Sequence, residues 1–281
     1  MLDHITTWGD YRHRIREFDA VLEHGKAVAA VWAARPQATA QAGYGEQIFM
    51  KLLAHCIALR RLAPEPLQPP PRELSDLPSM SALARAAIEA FDAFEYIAGH
   101  AVSEEERGFR VRLWELHDAT RRLRILQAVQ ADSQALDSIR ADIQRLRDAL
   151  QAHPHRATLP EGLQAELMRR LARDEAPAFH LNQRQRCAQS GLDADWYEAI
   201  TLQLAQHVHT LPFSVHQLTT FPAGSPDALR LLGQPLVSAL PFLARAIHGV
   251  TPLMPTRPPE PPSRTARTMQ AWRSVGQRAG A

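Results

Sequence analysis

Apolar residues recur along this chain at steps of three and four residues, the spacing that places side chains on one face of an α-helix. Runs of alternating β-branched and aromatic residues bounded by turn residues, the pattern typical of β-strands, are missing from the sequence. The pattern therefore predicts an all-α protein. Its helices are expected over about 8–34, 45–62, 79–99, 160–173, 176–189, 193–209 and 225–248.

A capping box, Ser103-Glu-Glu-Glu106, predicts the start of a further helix. The Ser103 hydroxyl would accept a hydrogen bond from the Glu106 amide, and the Glu106 carboxylate one from the Ser103 amide. Farther along, five apolar residues form a seam over only two heptads, too few for a free coiled coil. We therefore expect a long antiparallel helical hairpin inside a multi-helix bundle. The seam consists of Leu136, Ile139, Ile143, Leu146 and Leu150.

Prolines divide the chain into predicted regions. We expect one helical domain over 1–250, or alternatively a separate N-terminal lobe over 1–62 that precedes a proline-rich connection over 63–78. Residues 251–281 carry five arginines against one glutamate, a net charge of +4. This composition predicts a flexible basic Pro/Arg-rich tail. As an alternative, a short amphipathic helix around Met269 and Trp272 could dock on a partner or back onto the bundle.

Composition excludes several classes of protein. The 281 residues are 45% hydrophobic and 22% charged, with a net charge of only +2, which argues against nucleic-acid binding through bulk charge alone. The two cysteines, Cys56 and Cys187, are far apart, which argues against a disulfide scaffold or a cysteine-rich zinc site. Lysine occurs only twice against 30 arginines, as is typical of a GC-rich bacterial genome.

Neither end of the sequence nor its apolar stretches predict a membrane protein. The N-terminus has no basic start followed by an apolar run, so no signal peptide is expected. The longest uncharged apolar stretch, 231–244, is too short to span a bilayer. We therefore expect a cytoplasmic protein with no membrane partner.

The predicted helix over 79–99 carries a polar stripe, with Arg85, Glu89, Asp92 and Tyr96 at steps of four, three and four residues. Two interpretations stay open. The stripe could be a solvated face with an Arg85–Glu89 ion pair, or a buried Arg–Glu pair could orient a second group.

A second candidate is the helix over 193–209, which ends in His207-Val-His209. On a regular helix His207 shares a face with Trp196, whereas His209 lies on another face, so the two imidazoles are poor co-ligands for one metal. Either could act as a general acid or base in a cleft, or be a structural histidine at a helix end. The candidate binding residues are Tyr96, Trp196, Tyr197 and Ser214.

Two short motifs carry no predicted chemistry. His153-Pro-His155 has no cysteine or carboxylate beside it, so we expect a surface position. Gly43-Tyr-Gly45 has no preceding strand and no Lys-Ser/Thr pair, so we expect a turn rather than a phosphate loop. No metal site and no cofactor are predicted.

Two resemblances bear on function. Arg112 and His117 match the Arg-x4–6-His spacing of HEPN ribonucleases, small all-α RNA-cleaving domains of bacterial defence systems, and this distant resemblance implies a helical fold.

The segment 79–124 resembles a bacterial all-helical family known only as a domain of unknown function. The resemblance rests on Arg85-x-x-x-Glu89, Tyr96 and Glu104-Glu-Glu-Arg107, and on a later block with Tyr197, His207-Val-His209 and Pro212-x-Ser214. It covers about half of the chain. It implies that the Arg/Glu helix and the histidine helix end meet in one polar cluster, without implying a reaction.

Two functions are therefore predicted. The first is an interaction, regulatory or defence-related protein whose partner is a protein or RNA. The alternative is an RNA- or nucleotide-directed hydrolase in which Arg85 holds phosphate, Glu89 orients, and His207 or His209 is the general acid or base. Both leave the oligomeric state open.

Overall fold

The computed structural model describes residues 2–33, 39–64, 76–221 and 224–278. Within them the chain forms eleven α-helices and no β-strand, so the predicted all-α fold is confirmed. A π-helical turn, Glu95–Gly99, extends α3, and 3₁₀ turns lie at Pro154–Thr158 and Thr251–Leu253. The helices are α1 Trp8–Ala33, α2 Ala40–Leu62, α3 Leu77–Phe94, α4 Glu104–Ala128, α5 Ser133–Gln151, α6 Glu161–Ala172, α7 Gln183–Gln189, α8 Ala194–Val208, α9 Pro212–Thr220, α10 Pro226–Val250 and α11 Ser263–Arg273.

The chain divides into two compact units. Unit 1 comprises Met1–Glu95 and Cys187–Ala281, and unit 2 comprises Tyr96–Arg186. A separate lobe over 1–62 is not what the structure has, because α1 packs against α10 and α2 packs against both α3 and α10. Of the predicted proline-rich connection over 63–78, residues 65–75 lie outside the described residues.

Helix α10 is the central element of unit 1. It runs unbroken through Pro235 and Pro241, and most of its side chains are buried against α1, α2 and α3. Residues Pro226–Leu253 are long and apolar enough to cross a membrane by length and composition, and 67% of the most apolar stretch is buried inside the protein. A buried core helix passes the same test.

Unit 2 contains the predicted helical hairpin. Helices α4 and α5 pack against each other and are joined by a short turn in which Gln130 has a positive φ of 54°, so they run antiparallel. Ile143, Leu146 and Leu150 of the seam are buried. They join a core that also includes Phe109, Leu113, Leu116, Leu159, Leu167 and Leu171.

Helix starts follow the sequence signals. The Ser103 hydroxyl accepts a hydrogen bond from the Glu106 amide (3.1 Å), and the Ser225 hydroxyl one from the Ala228 amide (3.2 Å). These contacts satisfy amides that the first helical turn leaves without partners.

Two local predictions were wrong. Gly43-Tyr-Gly45 lies inside α2 rather than in a turn, because Thr39 caps that helix upstream. The predicted helix over 176–189 is helical only from Gln183. Pro177 disfavours a helical conformation at the residue before it. The side chains of Asn182 and Gln185 then each accept a hydrogen bond from the other's amide (2.9 Å), which starts α7.

The C-terminal residues differ from the predicted flexible tail and match the docked-helix alternative. Helix α11 packs against α10 and α1 and buries Met269 and Trp272. Beyond it, the Asp193 amide donates to the Gly276 carbonyl (2.9 Å). Gly276 has a φ of 69°, and a Cβ there would lie 2.3 Å from the Trp196 ring. The turn after α11 therefore requires glycine and is held against the start of α8.

Candidate functional site

The predicted Arg85–Glu89 ion pair is present on α3, with Nε and Oε1 2.8 Å apart. Arg85 also donates from Nη1 to the Thr201 carbonyl on α8, at 2.5 Å. Helix α3 therefore contacts α8 at Thr201, whereas the family resemblance implied a meeting with the histidine end of that helix. The contact lies six residues before His207, which is about 9 Å along the helix axis.

The single polar stripe predicted on α3 is not what the structure has. The Glu89 side chain is 60% exposed, whereas Asp92 and Tyr96 are buried. The π-helical turn at Glu95–Gly99 accounts for part of this difference, because its wider turn changes the direction of the side chains that follow Phe94.

The two histidines of α8 lie in different environments. His207 is buried, and burial lowers the pKa of its imidazole. His209 is exposed just beyond the last helical residue. Arg85, Glu89, His207 and His209 are thus not gathered around one cleft by the contacts of the described residues.

The candidate binding residues of unit 1 make packing contacts and a local hydrogen bond to the backbone. Trp196 stacks on Phe242 with ring centroids 5.5 Å apart, and Tyr197 meets the same ring edge-on at 5.9 Å. The buried Ser214 hydroxyl donates to the Leu211 carbonyl at 2.8 Å, at the start of α9.

The Arg112/His117 pair is not a joint site either. Arg112 donates to the Gly108 carbonyl (3.1 Å) and lies 3.2 Å from His153 Nε2, whereas His117 Nδ1 lies 2.8 Å from the Ala176 carbonyl. The two side chains therefore contact different parts of unit 2.

A surface that sequence reasoning missed lies on α8 and α9, and we call it the α8–α9 surface. Within 211–217 only Ser214 is buried. No Asp, Glu, Lys or Arg occurs from Ala199 to Pro226, a run of 28 residues in a chain that is 22% charged. That run was the sequence signal that could have found it. Its exposed members are Leu202 (60%), Val208 (44%), Leu211 (39%), Phe213 (48%), Val215 (46%) and Phe221 (37%).

A buried polar cluster lies in unit 2 around Arg110, whose side chain is fully buried. Its guanidinium donates to Glu106 Oε1 from both Nε (3.0 Å) and Nη2, and from Nη1 to the Tyr96 carbonyl (2.9 Å). It also lies 2.9 Å from His100 Nδ1 and 4.6 Å from the centre of the Tyr96 ring. Helix α4 therefore places one cation at the centre of the cluster.

His180 and His155 enter the cluster from outside α4. His180 Nδ1 lies 2.7 Å from the Tyr96 hydroxyl, which also accepts from the His180 amide at 3.3 Å. The two imidazole ring centres are 6.0 Å apart. His155 is half-buried, which corrects the predicted surface position of His153-Pro-His155.

Burial and the Arg110 charge lower the pKa of the imidazoles in this cluster. Burial, followed by the charge of Arg110, lowers the pKa of both His100 and His180 to about 3. Burial also lowers the pKa of His155. Glu106, His155 and His180 each offer one ligand atom, and these atoms lie within 4.8 Å of one another.

A pocket of about 470 Å³ lies in unit 1 between α1, α10 and α11. None of the predicted site residues lines it. Burial lowers the pKa of both His24 and His248 at its wall. Its polar lining consists of His24, His248, Thr251, Arg257, Glu260, Gln270 and Arg273.

Comparison of the chain with protein-family models, with curated proteins and with solved structures gave no match.

Proposed function

We propose that this chain is an interaction protein that inserts the exposed apolar residues of α9 into an apolar groove of a partner protein. The observation that supports the proposal is the α8–α9 surface, where large apolar side chains are exposed within 28 residues that contain no charged side chain. Phe213 and Val215 are its exposed apolar residues within α9.

Exposure of these side chains is unfavourable in an isolated chain. Each large apolar side chain gains about 1.5–3 kcal/mol when it is fully buried, and contiguous exposed apolar surface commonly marks a binding site. Aromatic residues that enter a pocket contribute a large share of the energy of protein interfaces. Phe213, 48% exposed in the first turn of α9, is suited to that role.

The lack of charged residues in the α8–α9 surface indicates which kind of partner it fits. A nucleic acid would need lysines or arginines against its phosphates, and the α8–α9 surface offers none from Ala199 to Pro226. A strongly charged protein face would be desolvated there without compensation. An apolar groove that accepts a short helix is the complementary surface.

Other predicted functions have less support. An RNA- or nucleotide-directed hydrolase needs Arg85 and an imidazole at one phosphate, whereas Arg85 contacts Thr201 and His209 is exposed past the end of α8. An acidic partner held by a flexible tail conflicts with the burial of Trp272. We also propose that the chain is a bacterial cytoplasmic protein. We further propose that it is similar to the uncharacterised helical family and, more distantly, to HEPN domains.

The experiment compares wild type, the double variant Phe213→Asp/Val215→Asp and the matched control Ile125→Asp. Ile125 is 61% exposed in unit 2, so its substitution places one negative charge, against two in the double variant, on another exposed apolar side chain. A protein captured by wild type from its native cells is purified separately and titrated against all three forms. We expect the double variant to raise the Kd at least tenfold and the control to leave it unchanged.

Light scattering of the purified chain is measured in parallel. An equal Kd for wild type and the double variant would contradict the proposal. A dimer that only the double variant disrupts would also contradict it, because a second copy would then be the occupant of the surface.

A further inference from the structure

We propose that Glu106, His155 and His180 of unit 2 form a binding site for one divalent transition-metal ion of the zinc class. The three side chains come from the first turn of α4, the 3₁₀ turn Pro154–Thr158 and the extended segment before α7. Their ligand atoms lie within 4.8 Å of one another. This site is independent of the α8–α9 surface and was not predicted from the sequence.

Hydrogen bonds orient His155 as a ligand. The Thr158 hydroxyl donates its single proton to the His155 carbonyl, at 2.8 Å, and also lies 3.2 Å from His155 Nδ1. Because that proton is already used, Nδ1 must be the donor in the second contact. The imidazole therefore carries its proton on Nδ1 and presents a bare lone pair at Nε2.

That nitrogen has no hydrogen-bond partner among the described residues, although it is buried. A buried acceptor without a partner is costly, and a bound ion is one of the standard explanations for it. Since His155 also offers one of the three ligand atoms that lie within 4.8 Å of one another, Nε2 is the nitrogen of this ring that we assign to the ion.

His180 has the oxygen partner that metal-bound histidines generally have. Its Nδ1 lies 2.7 Å from the Tyr96 hydroxyl, so an Nδ1–H can donate to that oxygen and leave Nε2 for the ion. Such a contact fixes the tautomer and the ring orientation of a ligand histidine. Tyr96 is fully buried, which makes it a positioning residue for His180.

The carboxylate of Glu106 can serve the ion and Arg110 together. Nε and Nη2 of Arg110 both donate to Oε1, so we assign Oε2 to the metal. Two imidazoles and one carboxylate form the ligand set of several catalytic zinc sites, which keep a fourth position open. Because Arg110 already offsets the charge of Glu106, a bound dication would favour an anion such as hydroxide or a phosphate oxygen at that position.

The test is zinc titration of the full chain after dialysis against a chelator, followed by calorimetry and thermal unfolding. We expect one Zn²⁺ per chain and a higher Tm with zinc, and no such rise with Mg²⁺ or Ca²⁺, which prefer oxygen ligands. Cobalt is a second probe, expected to give the absorption bands of a tetrahedral ion.

Single substitutions test which residues bind the ion. We expect Glu106→Gln and His155→Gln to weaken zinc binding more than tenfold, and Tyr96→Phe to weaken it about 10- to 100-fold while keeping the ring. The control variant His209→Ala removes an exposed histidine of unit 1 and should bind zinc as tightly as wild type does. Each variant is first checked for helix content by circular dichroism.

Absence of zinc binding by the wild type overturns the proposal without recourse to any variant. Equal affinity of wild type, Glu106→Gln and His155→Gln overturns it as well, as does a loss of binding in His209→Ala.

Discussion

At the scale of single residues, Arg110 shows how a buried positive charge is stabilised in unit 2. Its guanidinium has the Glu106 carboxylate, the Tyr96 carbonyl and the Tyr96 ring as neighbours, so its charge and several of its donors are matched. The sequence predicted Glu106 as a capping residue, and its carboxylate instead pairs with Arg110. Spacing along α4 permits this i, i+4 pair, but only the packing of the surrounding segments shows that it is buried.

We predict that Arg110→Met lowers the free energy of unfolding by about 3 kcal/mol, because it leaves the Glu106 carboxylate and the Tyr96 carbonyl without their partner. Arg122→Met is the matched control on the same helix. Arg122 pairs with Asp118 but is 60% exposed, so its removal should cost no more than about 1 kcal/mol. Urea unfolding followed by circular dichroism measures both, and equal losses would contradict the account.

Glu95, directly after α3, makes the free energy of unfolding of unit 1 depend on pH. Burial raises the pKa of its carboxyl from 4.5 to about 7, with Arg245 acting in the opposite direction and Asp92 in the same direction. The folded chain therefore retains a proton that the unfolded chain has lost between these two values. Stability should fall as the pH rises from about 4.5 to 7, and the penalty is complete above that range.

We predict that Glu95→Gln removes this decrease in stability with rising pH, because the amide stays neutral at every pH. Above pH 7 the variant should be more stable than wild type by up to roughly 3 kcal/mol, and near pH 4 the two should be alike. Urea midpoints at a series of pH values measure the difference between them. A constant difference across the series would contradict the raised pKa.

At the scale of elements, the signals that succeeded are local ones. The caps at Ser103 and Ser225 and the seam over 136–150 act within a few residues, so the sequence predicts them well. The segment 176–182 was wrongly predicted as helical although it contains Pro177. The tail was predicted as flexible from its composition, whereas burial of Trp272 depends on α1 and α10, more than 20 residues away along the chain.

We predict that Trp272→Ala releases α11 from unit 1, because the loss of a large buried side chain typically costs 3–5 kcal/mol. Trypsin should then cleave after Arg264 and Arg267 faster than in wild type. Gln270→Ala, which changes an exposed residue of the same helix, is the control. Limited proteolysis with mass spectrometry measures the rates, and unchanged cleavage in Trp272→Ala would mean that α11 is not held by that side chain.

At the scale of the whole molecule, helix periodicity predicts the fold class because every helix needs one apolar face. It does not predict the two units, which depend on which helices pack together. The predicted site residues were chosen for their chemistry. The structure instead packs Trp196 and Tyr197 against Phe242, and the Ser214 hydroxyl donates to the Leu211 carbonyl. The α8–α9 surface was overlooked because its signal is a lack of charge rather than a motif.

The most direct test of the proposed function is photo-crosslinking in native cells from p-benzoylphenylalanine placed at Phe213, with the same residue at Ile125 as the control. Both positions are exposed, at 48% and 61%, and they lie in different units. We predict a crosslink to one partner protein from position 213 and none to that protein from position 125. The same crosslinking pattern from both positions, or none from position 213, would contradict the proposal that α9 inserts into a partner.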